Sequence, residues 1–376
     1  MKNELVHPDQ FGWAYFKSVF TRVNQIQYSP VNTLYFSLVF RINGYDPYYY
    51  HISNLLVHFL NAMLIFRLAK RIVSIFNIGN GMLIAYIVSL LWCIHPLNVE
   101  PVTWVSGSKI LLCTLFTLCS ILCFLRALLL DKMIYYAGSA FLCILSFLCK
   151  ELAILTPVMF CLITFCVYRG KVQYLKKIHW WFLAAMMAVS IILGVITAGI
   201  NRMDTQEFAP MAGYSYGRRV LLIFYCISFY FGNLLTPLNL HYHYMYPIQP
   251  DGPIPVIFYL YPVFFAGLTA LFCFFLRGSR EFYFYLLCTG IFVIQIALYI
   301  QVIPMTRPAI VADRYMYLPS FALLLAGVQF ISDKIAFNPQ LRSGKLIASV
   351  LVAVYIGYFA SYSHQLAKNW LSLDLR

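Results

Sequence analysis

The sequence predicts an all-α fold: a polytopic integral membrane protein with about 10–11 apolar helices. Composition is the first observation. Of 376 residues, 62% are hydrophobic and 11% charged, with mean hydropathy +0.76, whereas a soluble domain is nearer half apolar and a quarter charged. So few polar groups could not cover a soluble surface. The second observation is distribution. The apolar residues gather in runs near the roughly 20 residues that a membrane helix requires, separated by short polar loops. The third is that basic residues concentrate in alternate loops, the pattern that sets membrane orientation.

Residues 1–49 read as a polar, mixed segment on the extracytoplasmic side, and 50–376 as the transmembrane domain. Within the first part, VNTLYFSLVFRI (31–42) is too short to span and suits an interfacial helix. The expected spans are 50–67, 82–95, 110–126, 133–149, 152–168, 179–199, 218–236, 256–276, 282–303, 315–332 and 346–362. Loops 68–81 (Lys70, Arg71), 127–132 (Lys132) and 169–178 (Arg169, Lys171, Lys176, Lys177) should be cytoplasmic. Loops 96–108 and 150–151 then face outward. So does the N-terminal tail, which has no apolar signal-peptide core and carries Lys2, Lys17, Arg22 and Arg41. An outward tail of that kind requires a transmembrane helix upstream of Met1, so the chain is expected to be shortened at its N-terminus. Loops 277–281 and 333–345 are also basic. Both can be cytoplasmic only if one upstream span fails to cross, and 218–236 is the expected re-entrant or interfacial one. Residues 237–255, 304–314 and the C-terminus then face outward.

The net charge of +14 comes from 27 Lys and Arg against 13 Asp and Glu. Because the cations sit in short loops beside apolar runs, topology and anionic lipid headgroups explain them, and no nucleic-acid partner is expected. The 11 cysteines lie in or beside apolar runs, without a C-x-x-C, so neither a disulfide framework nor a structural zinc is expected. HYHYMYP (His241 to Pro247) offers two histidines at i, i+2 but no third ligand nearby, so metal binding is not expected either. Phosphate-binding glycine loops, H-E-x-x-H and nucleophile elbows are absent.

Polar residues interrupt the apolar pattern at the outer ends of spans. His95 and Glu100 lie in IHPLNVEPVTWVSGSK, Lys150 and Glu151 in FLCKELAILTP, and Asp313 and Arg314 in TRPAIVADRYMYLPS, with Arg307 upstream. A charge flanked by apolar sequence costs about 2.5–3.5 kcal/mol to insert, so such residues pair or line a wet cavity. All reach one membrane face in this topology, and one outward cavity could hold them. Lys150 and Arg314 would bind a phosphate. Glu100 could accept a hydroxyl proton, and His95, Glu151 and Asp313 would line the same cavity. Plainer roles compete. Lys150–Glu151 and Asp313–Arg314 could be local ion pairs, His95-Pro96 a helix end, and Trp104 an interfacial anchor.

Five segments in this order resemble one family. YSPVNTLYFSLVFRINGYDPYYYHISNLLVHFLNAMLIFRLAKRI is similar to the first outward loop and second helix of the transmembrane and tetratricopeptide-repeat O-mannosyltransferases and their bacterial relatives. HPLNVEPVTWVSGSKILL resembles their His-Pro…Glu-x-Val-x-Trp loop, and KELAILTP their Lys-Glu…Pro turn. YFGNLLTPLNLHYHYMYP and ADRYMYLPS resemble two later segments. The resemblance implies a GT-C-like glycosyltransferase. Such an enzyme moves a sugar, mannose here, from a polyprenyl-phosphate carrier to an acceptor such as a protein Ser/Thr hydroxyl or a glycan, on the extracytoplasmic face. It places Lys150 and Arg314 near the lipid phosphate, with His95 and Glu100 in the same cavity and no divalent metal. The family's acidic pair would lie upstream of Met1, an acid that often follows the basic residue is Ile110 here, and the repeats are absent after KNWLSLDLR. A transporter or flippase, or a non-catalytic scaffold, is the competing expectation. The lack of sorting signals leans towards a bacterial inner membrane over the endoplasmic reticulum.

Overall fold

The computed structural model describes residues 12–21, 28–204, 213–238, 240–241, 243–279, 281–300, 302, 309–336 and 343–373. These residues are helical and contain no strand. Arg307 and the upstream acidic pair lie outside them. Two short helices come first, α1 (Trp13–Thr21) and α2 (Pro30–Asn43). The helix α3 (Pro47–Ile75) follows, N-capped by Asp46, whose side chain accepts from the Tyr48 N–H at 3.0 Å. That cap draws the boundary expected at 49/50 into the helix. The cytoplasmic loop expected over 68–81 also contracts, to 76–80. Lys70 and Arg71 do not break the helix, and the turn waits for Asn77 and Asn80, both left-handed at φ 54° and 56°.

Next come α4 (Gly81–Cys93), the short α5 (Val99–Thr103), α6 (Ser108–Leu130), α7 (Met133–Cys149) and α8 (Thr156–Val167). They are followed by α9 (Lys177–Asp204), α10 (Tyr216–Leu235), α11 (Ile257–Leu276), α12 (Phe282–Ile296), α13 (Pro319–Ile331) and α14 (Gly344–Leu373). Among the described residues six helices are long and apolar enough to cross a membrane by length and composition: α3, α6, α9, α10, α11 and α14. Several shorter apolar helices pack among them. The chain is an all-α, polytopic integral membrane protein.

The connections segregate to two ends. At the basic end, Phe76 meets Phe284 at 5.8 Å between ring centroids, and Lys176 pairs with Asp131. At the other end, Asn32 accepts from the Ser108 hydroxyl at 2.7 Å and the Tyr35 hydroxyl reaches Ser53 at 2.6 Å, which seats α2 on the starts of α3 and α6. The basic end is the one that the charge pattern expects on the cytoplasmic side.

By length and composition α10 is one of the six that could cross. The extended stretch after it doubles back along it. The hydroxyls of Tyr355, Tyr358 and Tyr362 donate to the carbonyls of Leu235, Pro237 and Leu238. Tyr244 packs on Phe229 at 4.8 Å, and Arg218 donates to the carbonyls of Gln249 and Gly252 at 3.0 and 2.8 Å. Extended backbone exposed to lipid cannot lie in hydrocarbon, where its amides would lack partners. The helix is continuous over 20 residues. A break does occur elsewhere: α4 and the segment Pro96–Thr103 meet at 55°.

Within the bundle, small polar side chains join α6 to α7. Ser146 donates to the Cys113 carbonyl at 2.8 Å and lies 2.7 Å from Thr117 Oγ1, while Ser120 donates to the Ser139 carbonyl at 2.7 Å. In a lipid environment such bonds, and the close approach that small residues permit, replace the hydrophobic drive of a soluble core. Substituting Ser146→Ala removes two of them. About 1 kcal/mol of stability should be lost, read as a lowered midpoint of thermal unfolding in detergent. An unchanged midpoint would mean that the α6–α7 contact rests on shape alone.

Candidate functional site

Helix α4 stops because of His95-Pro96. The residue before proline is pushed out of the helical region, and His95 is extended at φ −65°, ψ 131°. Its imidazole then closes the turn. Nδ1 accepts from the Leu97 N–H at 3.2 Å, so Nε2 carries the proton and donates to the Leu234 carbonyl at 3.0 Å. His95 is buried, with Phe359 against the ring. Both nitrogens are engaged within the protein, so in this structure His95 acts as a helix-end clamp.

The bent segment after it is held from below. Asn98 donates to the Trp92 carbonyl at 2.6 Å, and Asn54 of α3 reaches the carbonyls of Val102, Trp104 and Val105 at 3.2–3.4 Å. Gly107 sits so close to the Pro101 carbonyl that a Cβ would overlap it. Deeper in the bundle, Tyr317 donates to His58 Nδ1 at 2.7 Å and accepts from Asn61 at 3.2 Å. His58 Nε2 donates to the Cys93 carbonyl at 2.9 Å, and Trp92 to the Tyr317 carbonyl at 2.7 Å. These bonds tie α3, α4 and the start of α13 together beneath the loop.

On this platform Glu100, in the first turn of α5, is 3% exposed. It accepts from the Arg314 backbone N–H at 2.8 Å through Oε2 and from the Arg314 guanidinium through Oε1. Both oxygens are thus taken. In this structure Glu100, expected as a proton acceptor, stands as the counter-charge of Arg314. Arg314 lies in a 3-10 turn, Asp313–Met316, with its guanidinium carbon 5.3 Å from the Trp104 ring centroid and 5.0 Å from that of Tyr315. Trp104 is therefore part of the cluster.

Lys150 follows α7 in an extended conformation. Its ammonium stands 5.8 and 5.6 Å from the ring centroids of Tyr299 and Tyr315, which stack face to face at 3.6 Å. Lys150 and Arg314 thus share the Tyr315 ring. Asp313 accepts from the Tyr244 hydroxyl at 2.9 Å. Burial, and then the charge of Glu100, pushes its pKa well above the usual carboxylate range. Glu151 opens the next turn, half-buried, and its charge and that of Arg314 both act on the Lys109 ammonium.

The structure therefore brings Glu100, Lys150, Glu151, Asp313 and Arg314 to one end of the bundle and turns His95 to another task. It adds four residues that the sequence reading did not place: Lys109, Tyr244, Tyr299 and Tyr315. Lys109 carried the same signal as Lys150, a lone charge opening an apolar run. Tyr244 lay in HYHYMYP, which was weighed only for metal. Among the described residues no group of three His, Cys, Asp or Glu side chains could hold a metal ion.

Comparison with known proteins follows the same line. No family model and no solved structure matches. The chain is 24% identical over 196 residues to a protein O-mannosyl-transferase of Caenorhabditis elegans, covering 52% of this chain and 26% of that protein. It is 32% identical over 145 residues to human protein O-mannosyl-transferase TMTC3, 38% of this chain and 14% of that protein. It is 35% identical over 99 residues to Xenopus laevis protein O-mannosyl-transferase tmtc2, 26% of this chain and 11% of that protein. The chain is related to the protein O-mannosyl-transferases. The matched part spans about a quarter or less of each relative's own length. These relatives are animal proteins, so the leaning towards a bacterial inner membrane finds no support.

Removing one partner of the Glu100–Arg314 pair leaves a charge stranded. Glu100→Ala should cost about 3 kcal/mol, the low end for a buried pair because Arg314 is partly exposed. Glu100→Leu with Arg314→Met should recover much of that loss in a double-mutant cycle read by thermal unfolding. Additive losses would show that the two side chains do not act as a pair. The raised pKa of Asp313 gives a second expectation. The folded state holds this proton more tightly than the unfolded chain. Its stabilisation is therefore full below the unfolded value of about 3.9 and lost as pH rises through the folded value. Asp313→Asn keeps the acceptor for Tyr244 and should flatten that decline in an unfolding series against pH. An unchanged slope would mean that Asp313 is ionised in the fold.

Proposed function

We propose that the full-length protein is a glycosyltransferase. It takes mannose from a polyprenyl-phosphate carrier on the extracytoplasmic face and passes it to an acceptor, such as a protein Ser/Thr hydroxyl. The observation that carries this is the convergence of Lys150 and Arg314 on one aromatic ring at the outer end of the bundle, in a relative of proteins named O-mannosyl-transferases.

The chemistry makes demands that such a site can meet. The acceptor oxygen bonds to the anomeric carbon, the bond from that carbon to the phosphate oxygen breaks, and the acceptor hydroxyl gives up its proton. Negative charge grows on the departing lipid phosphate. Fixed cations in a site of low dielectric stabilise that charge more in the transition state than in the ground state. Lys150 and Arg314 are assigned to it, with Glu100 holding Arg314 in place. Because the two cations supply this charge, no divalent metal enters the proposal. None of the three carboxyl groups stands ready as the base. Glu100 is paired, Asp313 is buried against Tyr244, and Glu151 faces Lys109.

The depth of the charges separates this reading from a transporter or flippase, which would keep polar groups for its cargo near the midplane. Here His58 and Asn61, within α3, are bonded to Tyr317 and to backbone carbonyls. The animal source of the relatives favours a eukaryotic membrane over a bacterial one.

The test is mannose transfer by the full-length protein in proteoliposomes, from a polyprenyl-phosphate mannose donor to a Ser/Thr peptide. Lys150→Ala and Arg314→Ala should each lower turnover about 100-fold or more, with folding checked by thermal unfolding. Wild-type turnover in both variants would overturn the assignment. Lipid movement without sugar transfer would favour a flippase.

A further inference from the structure

At the cytoplasmic end the chain builds a second ordered cluster that sugar transfer does not use. Four helix termini meet there: the ends of α6 and α8 and the starts of α7 and α9. His179 is buried between two tyrosines, with the Tyr136 hydroxyl 2.6 Å from Nδ1 and the Tyr168 hydroxyl 3.0 Å from Nε2. Lys176 pairs with Asp131. Left-handed turns at Asp131, Arg169 and Gly170, with φ 57°, 51° and 73°, reverse the chain on both sides of the joint. These contacts hold two loops side by side.

The surface they present is one-sided. Residues 126–134 and 168–181 carry six exposed cations: Arg126, Lys132, Arg169, Lys171, Lys176 and Lys177. They carry one carboxylate, Asp131, which Lys176 already holds. Loops 277–281 and 333–345 are basic too, but with fewer cations to each carboxylate, two against Glu281 and three against Asp333, which pairs with Lys334; residues 76–80 have no charge. Large rings stand beside the cations: Tyr174, Trp180 and Trp181 are 67%, 52% and 75% exposed. A soluble acidic partner would match the charge and leave those rings unexplained. A lipid headgroup matches both, because tryptophan and tyrosine settle at headgroup depth while lysine and arginine meet the phosphates. The α9 N-terminus opens into the same place, and the positive end of its dipole adds to the attraction for an anion.

We propose that this joint is a binding site for an anionic phospholipid of the cytoplasmic leaflet. Its headgroup is held by the 131–132 and 169–177 loops, and its glycerol region lies against Trp180 and Trp181. The site is independent of the transfer chemistry at the opposite end. It is tested on the full-length protein in phosphatidylcholine nanodiscs carrying a trace of photoactivatable phosphatidylserine, with labelled peptides mapped by mass spectrometry. Labelling should concentrate on residues 129–134 and 168–181 and should weaken as salt is raised. A phosphatidylcholine probe with the same acyl chains should show no such concentration. Neutralising four cations together, K132Q/R169Q/K171Q/K177Q, leaves the Lys176–Asp131 pair intact. It should cut the labelling more than about tenfold, because each cation contributes about fivefold near an anionic surface. The charge-conserving set K132R/R169K/K171R/K177R should retain it. Equal labelling of the wild-type joint by the two probes would overturn the proposal without recourse to any variant. So would undiminished labelling of a folded neutral variant.

Discussion

A carboxylate 3% exposed cannot stand at the edge of a membrane bundle without a cation, and Glu100 finds one 214 positions later in the chain. Arg314 reaches it twice, through its backbone N–H and its guanidinium. That pairing does more than cancel charge. It closes the 3-10 turn at Asp313–Met316 onto the bent segment after α4, and so joins the first and second halves of the bundle. Low dielectric makes the pair costly to break, which is why so much else is arranged around it. His95 fixes where α4 ends, Asn54 and Asn98 bind the loop's carbonyls, and the Tyr317 network anchors the platform below.

The same constraint divides the molecule between its two ends. At the end that holds Glu100, cations and carboxyl groups are interleaved: Glu100 pairs with Arg314, and Trp104, Tyr299 and Tyr315 flank the cations. At the cytoplasmic end the cations stand exposed beside rings, with Asp131 alone among the carboxylates of their loops. One arrangement suits a buried, positioned reaction centre; the other suits contact with a charged surface. Neither needs the middle of the bundle to carry charge. The described polar groups there, such as Thr117, Ser120, Ser139 and Ser146, bind one another or carbonyls.

The membrane class was legible because apolar runs of spanning length have few other uses. The grouping of Glu100, Lys150, Glu151, Asp313 and Arg314 at one end of the bundle was legible because a charge inside an apolar run advertises itself. Helix ends were harder. Lys70 and Arg71 read as a loop yet lie in the last turns of α3, since a basic residue near a helix end can keep the helix and send its charge outward. Pairing was illegible too. Glu100 looked like a base on its own, and only the fold shows that Arg314 occupies both oxygens. Lys109 escaped because the charges that act on it, Glu151 attracting and Arg314 repelling, are distant in sequence. The placement of α10 could be framed from loop charges, but the backbone doubling along it depends on contacts such as Arg218 with Gln249.

The most direct measurement is the structure of the full-length protein in lipid nanodiscs with a non-transferable polyprenyl-phosphate mannose analogue, determined by electron microscopy. Phosphate density within about 3 Å of the Lys150 ammonium or the Arg314 guanidinium, the reach of a charge-assisted hydrogen bond, is the expected result, with the Glu100–Arg314 pair intact. A carrier phosphate bound elsewhere, with these cations untouched, would contradict the assignment of this cluster as the site of transfer.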